Sequence, residues 1–362
     1  MAKQIVKTNG RDNYFEFIRG ICIICVVLIH SQNGITQADL TTNSFDYNYW
    51  LISRQFINFP VAIFVFITAY FTNITKISQR PVKYFISRVK RLVIPFLFWS
   101  LFYSAINVVK QGVSVDATKI TVDIIEGRAA TPLYYIVILL QLLILTPILI
   151  SCLKNKYLNL MAFSITPIYL IIIYTYIYVT KQQIRHYESV FPAWLIFYYL
   201  GLYIKINGFK IKKTQRNVKR ALVLLGGTLL FSIIECYLML YLQLPVGFAS
   251  SQIKISSFVY SISIINLIFV LKDSFNLKKD SINLEKDNFV TKIGNCSYGI
   301  FYIHYFYIMI FSEVITYIPF LNKITPLYQL IQLLVILTLS ISSIIITNKL
   351  IGKKLASKFL GF

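Results

Sequence analysis

The chain has 362 residues, 57% of them hydrophobic and only 14% charged, with a formal net charge of +22 and a mean hydropathy of +0.66. So few polar residues cannot coat a soluble domain, and the composition predicts an all-α polytopic membrane protein. The cations sit in short stretches between apolar runs, which points to topology selection at an anionic membrane surface and excludes a nucleic-acid partner.

In chain order, the opening segment MAKQIVKTNGRDNYFEF is polar and is followed by no small-residue cleavage site, so it is expected to stay in the mature chain. A hydrocarbon core of roughly 30 Å takes about 20 helical residues to cross. Runs of that kind fall near residues 14–33, 56–73, 92–110, 133–152, 159–179, 190–204, 221–243, 254–271, 295–313 and 326–348. No internal repeat or strand-like alternation interrupts them. With the amino terminus inside, alternate connections hold 28 of the 36 Lys and Arg residues and the opposite set holds 8. That asymmetry predicts a bundle of about ten transmembrane helices with both termini cytoplasmic. Residues 1–362 are expected to form a single membrane domain without an appended extracytoplasmic domain.

The first run, RGICIICVVLIH, is bracketed by Arg19 and His30. Eleven residues at 1.5 Å and 100° each separate them by roughly 16 Å along the axis and about 20° around it. They share a helix face, and a polar passage linking the two leaflets accounts for both. Arg19 alone could snorkel to the headgroups, and His30 alone could cap the outer interface. Glu16 lies one turn before Arg19 and is its expected ion-pair partner. Cys22 and Cys25 have CxxC spacing, but no second ligand pair accompanies them, so no metal site is expected.

At the start of the third run, SRVKRLVIPF places Arg88 and Arg91 at i and i+3 on one face. Two guanidiniums so placed suit a phosphate, although they also fit the positive-inside flank. Glu235 is the only acid deep within a predicted span, at a depth that could approach His30. His186 falls in an outer loop, where a surface role is expected. His304 lies in the middle of the ninth run, as a catalytic group or a packed neutral imidazole. Tyr134, Tyr135, Tyr198, Tyr199, Tyr298 and Tyr302 are cavity candidates among 26 tyrosines, most of which should form interface belts. No GxSxG elbow, Walker loop or HExxH motif occurs.

Together these residues resemble the membrane-bound acyltransferase family 3, whose members O-acylate bacterial surface carbohydrates and other acceptors. The resemblance spans nearly the whole chain. Arg19 and His30 match the family's basic residue, ten intervening residues and histidine; Arg88 and Arg91 match its RxxR pair. SYGIFYIH, with Ser297, Tyr298 and His304, is similar to a late family motif. FPVAIFVFITAYF at 59–71 looks like its second-span segment, but has Thr68 and Ala69 where Ser and Gly are usual. FPAWLIFYYLGLYI at 191–204 looks like its aromatic segment.

The resemblance implies a bacterial plasma-membrane O-acyltransferase with acetyl-CoA or another acyl-CoA as cytoplasmic donor substrate and no permanently bound cofactor. It does not fix the acceptor: a carbohydrate is expected, and exopolysaccharide, capsule, teichoic acid, peptidoglycan or a lipid-linked sugar would each satisfy the sequence, with glycan-assembly proteins as expected further partners. On this reading Arg19, Arg88 and Arg91 bind the donor, His30 is the general base, Glu235 and His304 assist it, and Ser297, Tyr298 and Tyr199 line the cavity. A transporter or flippase of a polysaccharide or lipid-linked glycan is the competing expectation, since intramembrane cations also hold anionic lipid carriers.

Overall fold

The computed structural model describes residues 12–31, 44–112, 115–209, 211, 214–277, 288–314, 317 and 325–362. Parts of three expectations lie outside these residues: the amino-terminal segment 1–11, the first outer connection over 32–43 and the inner connection over 278–287. The described residues contain helices and turns and no strand. In hydrocarbon a helix satisfies its backbone N–H and C=O groups internally, which is why apolar runs of this length settle as helices.

The elements in order are α1 (Asn13–Ser31), α2 (Phe45–Phe56), α3 (Pro60–Tyr70), α4 (Ile74–Gln79), α5 (Pro81–Gln111), α6 (Ala117–Ile125), α7 (Tyr134–Cys152) and α8 (Lys156–Thr180). They continue with α9 (Leu195–Asn207), α10 (Gln215–Tyr241), α11 (Val246–Ala249), α12 (Ile255–Leu277), α13 (Phe289–Asn295), α14 (Ser297–Val314), α15 (Thr325–Ile351) and α16 (Lys353–Phe359). Each of the ten predicted runs contains helix, and eight coincide with helices long and apolar enough to cross a membrane. The other two are the 13-residue α9 and the 18-residue α14.

The second run needs correction. It begins at Phe45 rather than at 56, so part of the expected outer loop over 34–55 is helix. Ser44 caps α2 by accepting a hydrogen bond from the Tyr47 amide, and Tyr47, Trp50, Leu51 and Gln55 form a buried stripe at helical spacing. The polar opposite face of α2 hides it from a hydropathy reading. Between α2 and α3 the chain leaves the helix at residues 57–59, and Pro60 restarts it at its first position. Asn58 holds this break in place, its Nδ2 donating to the carbonyls of Ser250 at 2.9 Å and Ser251 at 3.2 Å.

Helices in lipid gain little from apolar transfer and associate through close packing, which favours small residues at crossings. α1 is the most enclosed of the candidate spans. Along one side it meets α13, where a Cβ added to Gly294 would lie 1.8 Å from the Glu16 carbonyl oxygen. The crossing of α3 and α9 rests on Gly201, whose Cβ would fall 2.6 Å from the Phe66 carbonyl oxygen and 2.8 Å from Ala69 Cβ. With Ala69 on α3 where the resembling segment has Gly, the small residue at this crossing comes from α9.

Two buried apolar clusters fill the interior, and α1 feeds both, giving Tyr14, Phe15 and Cys22 to one and Ile23, Val26 and Val27 to the other. Phe64, Leu92 and Tyr135 pack against both clusters and mark the seam between them. Exposed apolar residues run along α8 (Ile168, Ile172), α10 (Leu230, Ile234) and α15 (Leu334, Ile345), as lipid-facing surfaces require.

Candidate active site

Two cavities lie along α1. The first, of about 370 Å³, is lined by Arg19 from α1, Arg88 and Arg91 from α5, and Ser297 and Tyr298 from the start of α14. Helical spacing turns Arg88 and Arg91 to one side of α5, while the Gly294 crossing brings the start of α14 against Glu16 and Arg19. Arg19 Nη1 donates to Glu16 Oε1 at 2.7 Å, the ion pair expected from the sequence. Arg88 and Arg91 have no ion pair among the described residues, and the Arg88 guanidinium lies 5.4 Å from the Tyr84 ring centroid. One carboxylate against three guanidiniums leaves this arginine cavity strongly cationic, a setting that attracts phosphate oxygens. Tyr298 donates to the Arg91 carbonyl at 3.2 Å and shares a 3.0 Å hydrogen bond with Tyr302.

The second cavity, of about 190 Å³, is lined by His30, Arg54, Tyr134, Tyr187, Glu188, Trp194 and Gln252, among others. His30 is buried and its ring centroid is 5.4 Å from that of His304. His304 Nδ1 is 2.9 Å from the Ile300 carbonyl oxygen; donation to that carbonyl leaves the lone pair on Nε2. Among the described residues, His30 Nδ1 and His304 Nε2 are both buried without a hydrogen-bond partner. His304 lines neither cavity and packs against His30 from outside the second one.

The cavities share three lining residues, Phe64, Tyr135 and Phe301. Tyr135 stands between the two phenyl rings, with centroids 6.2 Å from Phe64 and 5.4 Å from Phe301. The polar passage expected between Arg19 and His30 is thus divided by an aromatic partition. Arg19 faces one chamber and His30 the other.

A family model for an acyltransferase domain matches residues 12–347, which include every residue of both chambers. The chain belongs to acyltransferase family 3. Comparison with curated proteins and with solved structures gives no match. The domain assignment makes this chain a membrane acyltransferase, and the two chambers are its candidate active site.

Some residues expected at the site of this acyltransferase lie elsewhere. Glu235 lines neither chamber: its Oε1 accepts from Tyr174 at 2.7 Å, and its Oε2 accepts from the Ser256 amide at 3.0 Å and from the Ser256 hydroxyl. The Lys254 ammonium is 4.0 Å away and donates to the Ser232 carbonyl at 2.9 Å. This carboxylate therefore holds the start of α12 against α8 and α10 and does not orient His30. Tyr199 is fully buried and donates to Asn159 Oδ1 at 2.8 Å, outside both chambers. Its neighbour Tyr198 lines the arginine cavity instead, bonded to Thr146 at 2.7 Å. His186 lies 3.2 Å from Arg128, in the loop region where a surface role was expected.

Arg54 is the main residue that sequence reasoning missed, having been counted as an outer-loop cation. It lies on α2, and its Nη1 donates to the Ile29 carbonyl at 3.0 Å, one residue before His30. The stripe of Tyr47, Trp50 and Leu51 was the available signal that this segment is a packed helix. Glu188 and Gln252 come from connecting segments, and nothing in the sequence links them to His30.

Proposed function

We propose that this acyltransferase moves an acyl group, most simply acetyl, from a cytoplasmic acyl-CoA to a hydroxyl of a cell-surface or lipid-linked carbohydrate at a bacterial plasma membrane. The observation that carries this reading is the junction of a cationic chamber and an imidazole chamber across Phe64, Tyr135 and Phe301. Arg88 and Arg91 bind donor phosphates, Arg19 steadies the chain leading to the thioester, and the thioester reaches the partition. His30 removes the acceptor's hydroxyl proton as the oxygen attacks the thioester carbonyl. The tetrahedral intermediate then collapses to the ester and expels the CoA thiolate, which takes up a proton. His304, with Nδ1 committed to Ile300, supports His30 from behind.

The Lys and Arg asymmetry supports ten spans with both termini cytoplasmic, which puts the arginine cavity on the donor side. A transporter reading would need an open route, and the aromatic partition favours transfer between chambers instead. Purified protein in lipid nanodiscs, given radiolabelled acetyl-CoA and surface-glycan acceptors, is expected to form labelled ester. His30→Ala should keep acetyl-CoA binding and lower kcat by about 10²–10⁴-fold, the usual contribution of a general base. Undiminished transfer by His30→Ala would remove His30 from the mechanism.

A further inference from the structure

The histidine cavity contains a cluster of unused polar groups. Besides His30 Nδ1, three buried atoms of its lining have no hydrogen-bond partner among the described residues: Arg54 Nε, Glu188 Oε2 and Gln252 Oε1. Buried polar groups in folded proteins are nearly always satisfied, and these three side chains border one cavity, so a small rotation of each would let a ligand there complete them. Their chemistry specifies the ligand. Arg54 can only donate, while Glu188 Oε2 and Gln252 Oε1 accept. Hydroxyl groups do both, and a ring bearing several of them can answer all three.

Charge narrows the class further. Arg54 and Glu188 carry opposite charges into the same chamber without an ion pair between them, so the lining asks for no net charge from its occupant. A carboxylate or phosphate that paired with Arg54 would face Glu188. Trp194, Tyr134 and Tyr187 add aromatic walls of the kind that pack against the C–H faces of a sugar. A volume of about 190 Å³ is below the roughly 300–1,000 Å³ of pockets for drug-sized ligands, so one sugar ring at a time fills it.

We infer that this chamber is an acceptor subsite for a single uncharged sugar unit, read by Arg54, Glu188 and Gln252 and presented to His30. The inference rests on the acyltransferase reading of the same site, and its test separates the two. Full-length protein in nanodiscs is titrated with acetyl-CoA by equilibrium dialysis, and with methyl hexosides, methyl N-acetylhexosaminides and methyl hexuronides by saturation-transfer NMR.

The wild type is expected to bind at least one neutral glycoside and to bind the uronides more weakly. Glu188→Gln and Gln252→Leu should each weaken that neutral glycoside roughly 10- to 100-fold, since the first exchanges a charged acceptor for a neutral amide and the second removes an acceptor, with acetyl-CoA binding unchanged. Preference for the uronide, equal glycoside binding by wild type and both variants, or no glycoside bound by a wild type that binds acetyl-CoA would each overturn the subsite. Failure of the wild type to bind acetyl-CoA would instead overturn the donor assignment. The neutral-against-uronide comparison needs only the wild type, so it stands even where a variant misfolds.

Discussion

Arg88 and Arg91 face the arginine cavity without an ion pair among the described residues, so their contribution should appear in donor binding more than in chemistry. Replacing either by Ala is expected to raise the KM for acetyl-CoA about 10- to 100-fold, the loss of a charge-assisted hydrogen bond, with a small change in kcat. Glu235→Ala should behave differently. It strips hydrogen bonds from Tyr174 and Ser256 and leaves Lys254 buried beside no carboxylate. The expected cost is about 3–5 kcal/mol of stability, read as a lower melting temperature, with KM values unchanged in the protein that still folds. Glu188 lies outside the spans, and burial pushes its carboxyl above the usual carboxylate range. As pH falls through that raised value, the group gains a proton and Oε2 ceases to be a pure acceptor. The KM for a neutral acceptor should therefore rise on the acid side, and Glu188→Gln should remove that limb of the pH profile.

Among the elements, α1 matters most because it feeds both cores and carries Arg19 into one chamber and His30 into the other. Its register against α13 depends on Gly294, where a methyl group would collide with the Glu16 backbone. Gly294→Ala should push α13 away and displace the Glu16–Arg19 pair, lowering both the yield of folded protein and acetyl-CoA affinity; size-exclusion profiles and dialysis check this. The interrupted pair α2 and α3 does comparable work on the other side. Its break at residues 57–59, held by Asn58, ends α2 beside His30, so Arg54 enters the chamber and not the headgroup layer.

Over the whole molecule, the aromatic partition separates a cationic chamber from one of mixed polarity. A partition of this kind lets an acyl group meet its acceptor without a continuous water path through the membrane. Tyr135→Ala or Phe301→Ala should join the two spaces and raise acceptor-independent hydrolysis of acetyl-CoA. Release of free CoA in the absence of glycan, measured against the wild type, is the readout.

The sequence by itself determined the helical class, the positions of ten apolar runs and the alternation of flanking charge, because hydropathy and helix length are local properties of the chain. It also determined the Glu16–Arg19 pair and the common face of Arg19 and His30, since both follow from 3.6 residues per turn. Local properties say nothing of which surfaces meet across the bundle. Only the tertiary structure decided that Arg54 joins His30, that Glu235 serves the start of α12, that Tyr198 rather than Tyr199 lines a chamber, and that Tyr135 divides the passage. Each depends on how helices distant in sequence cross, and those crossings are set by close packing at positions such as Gly201 and Gly294.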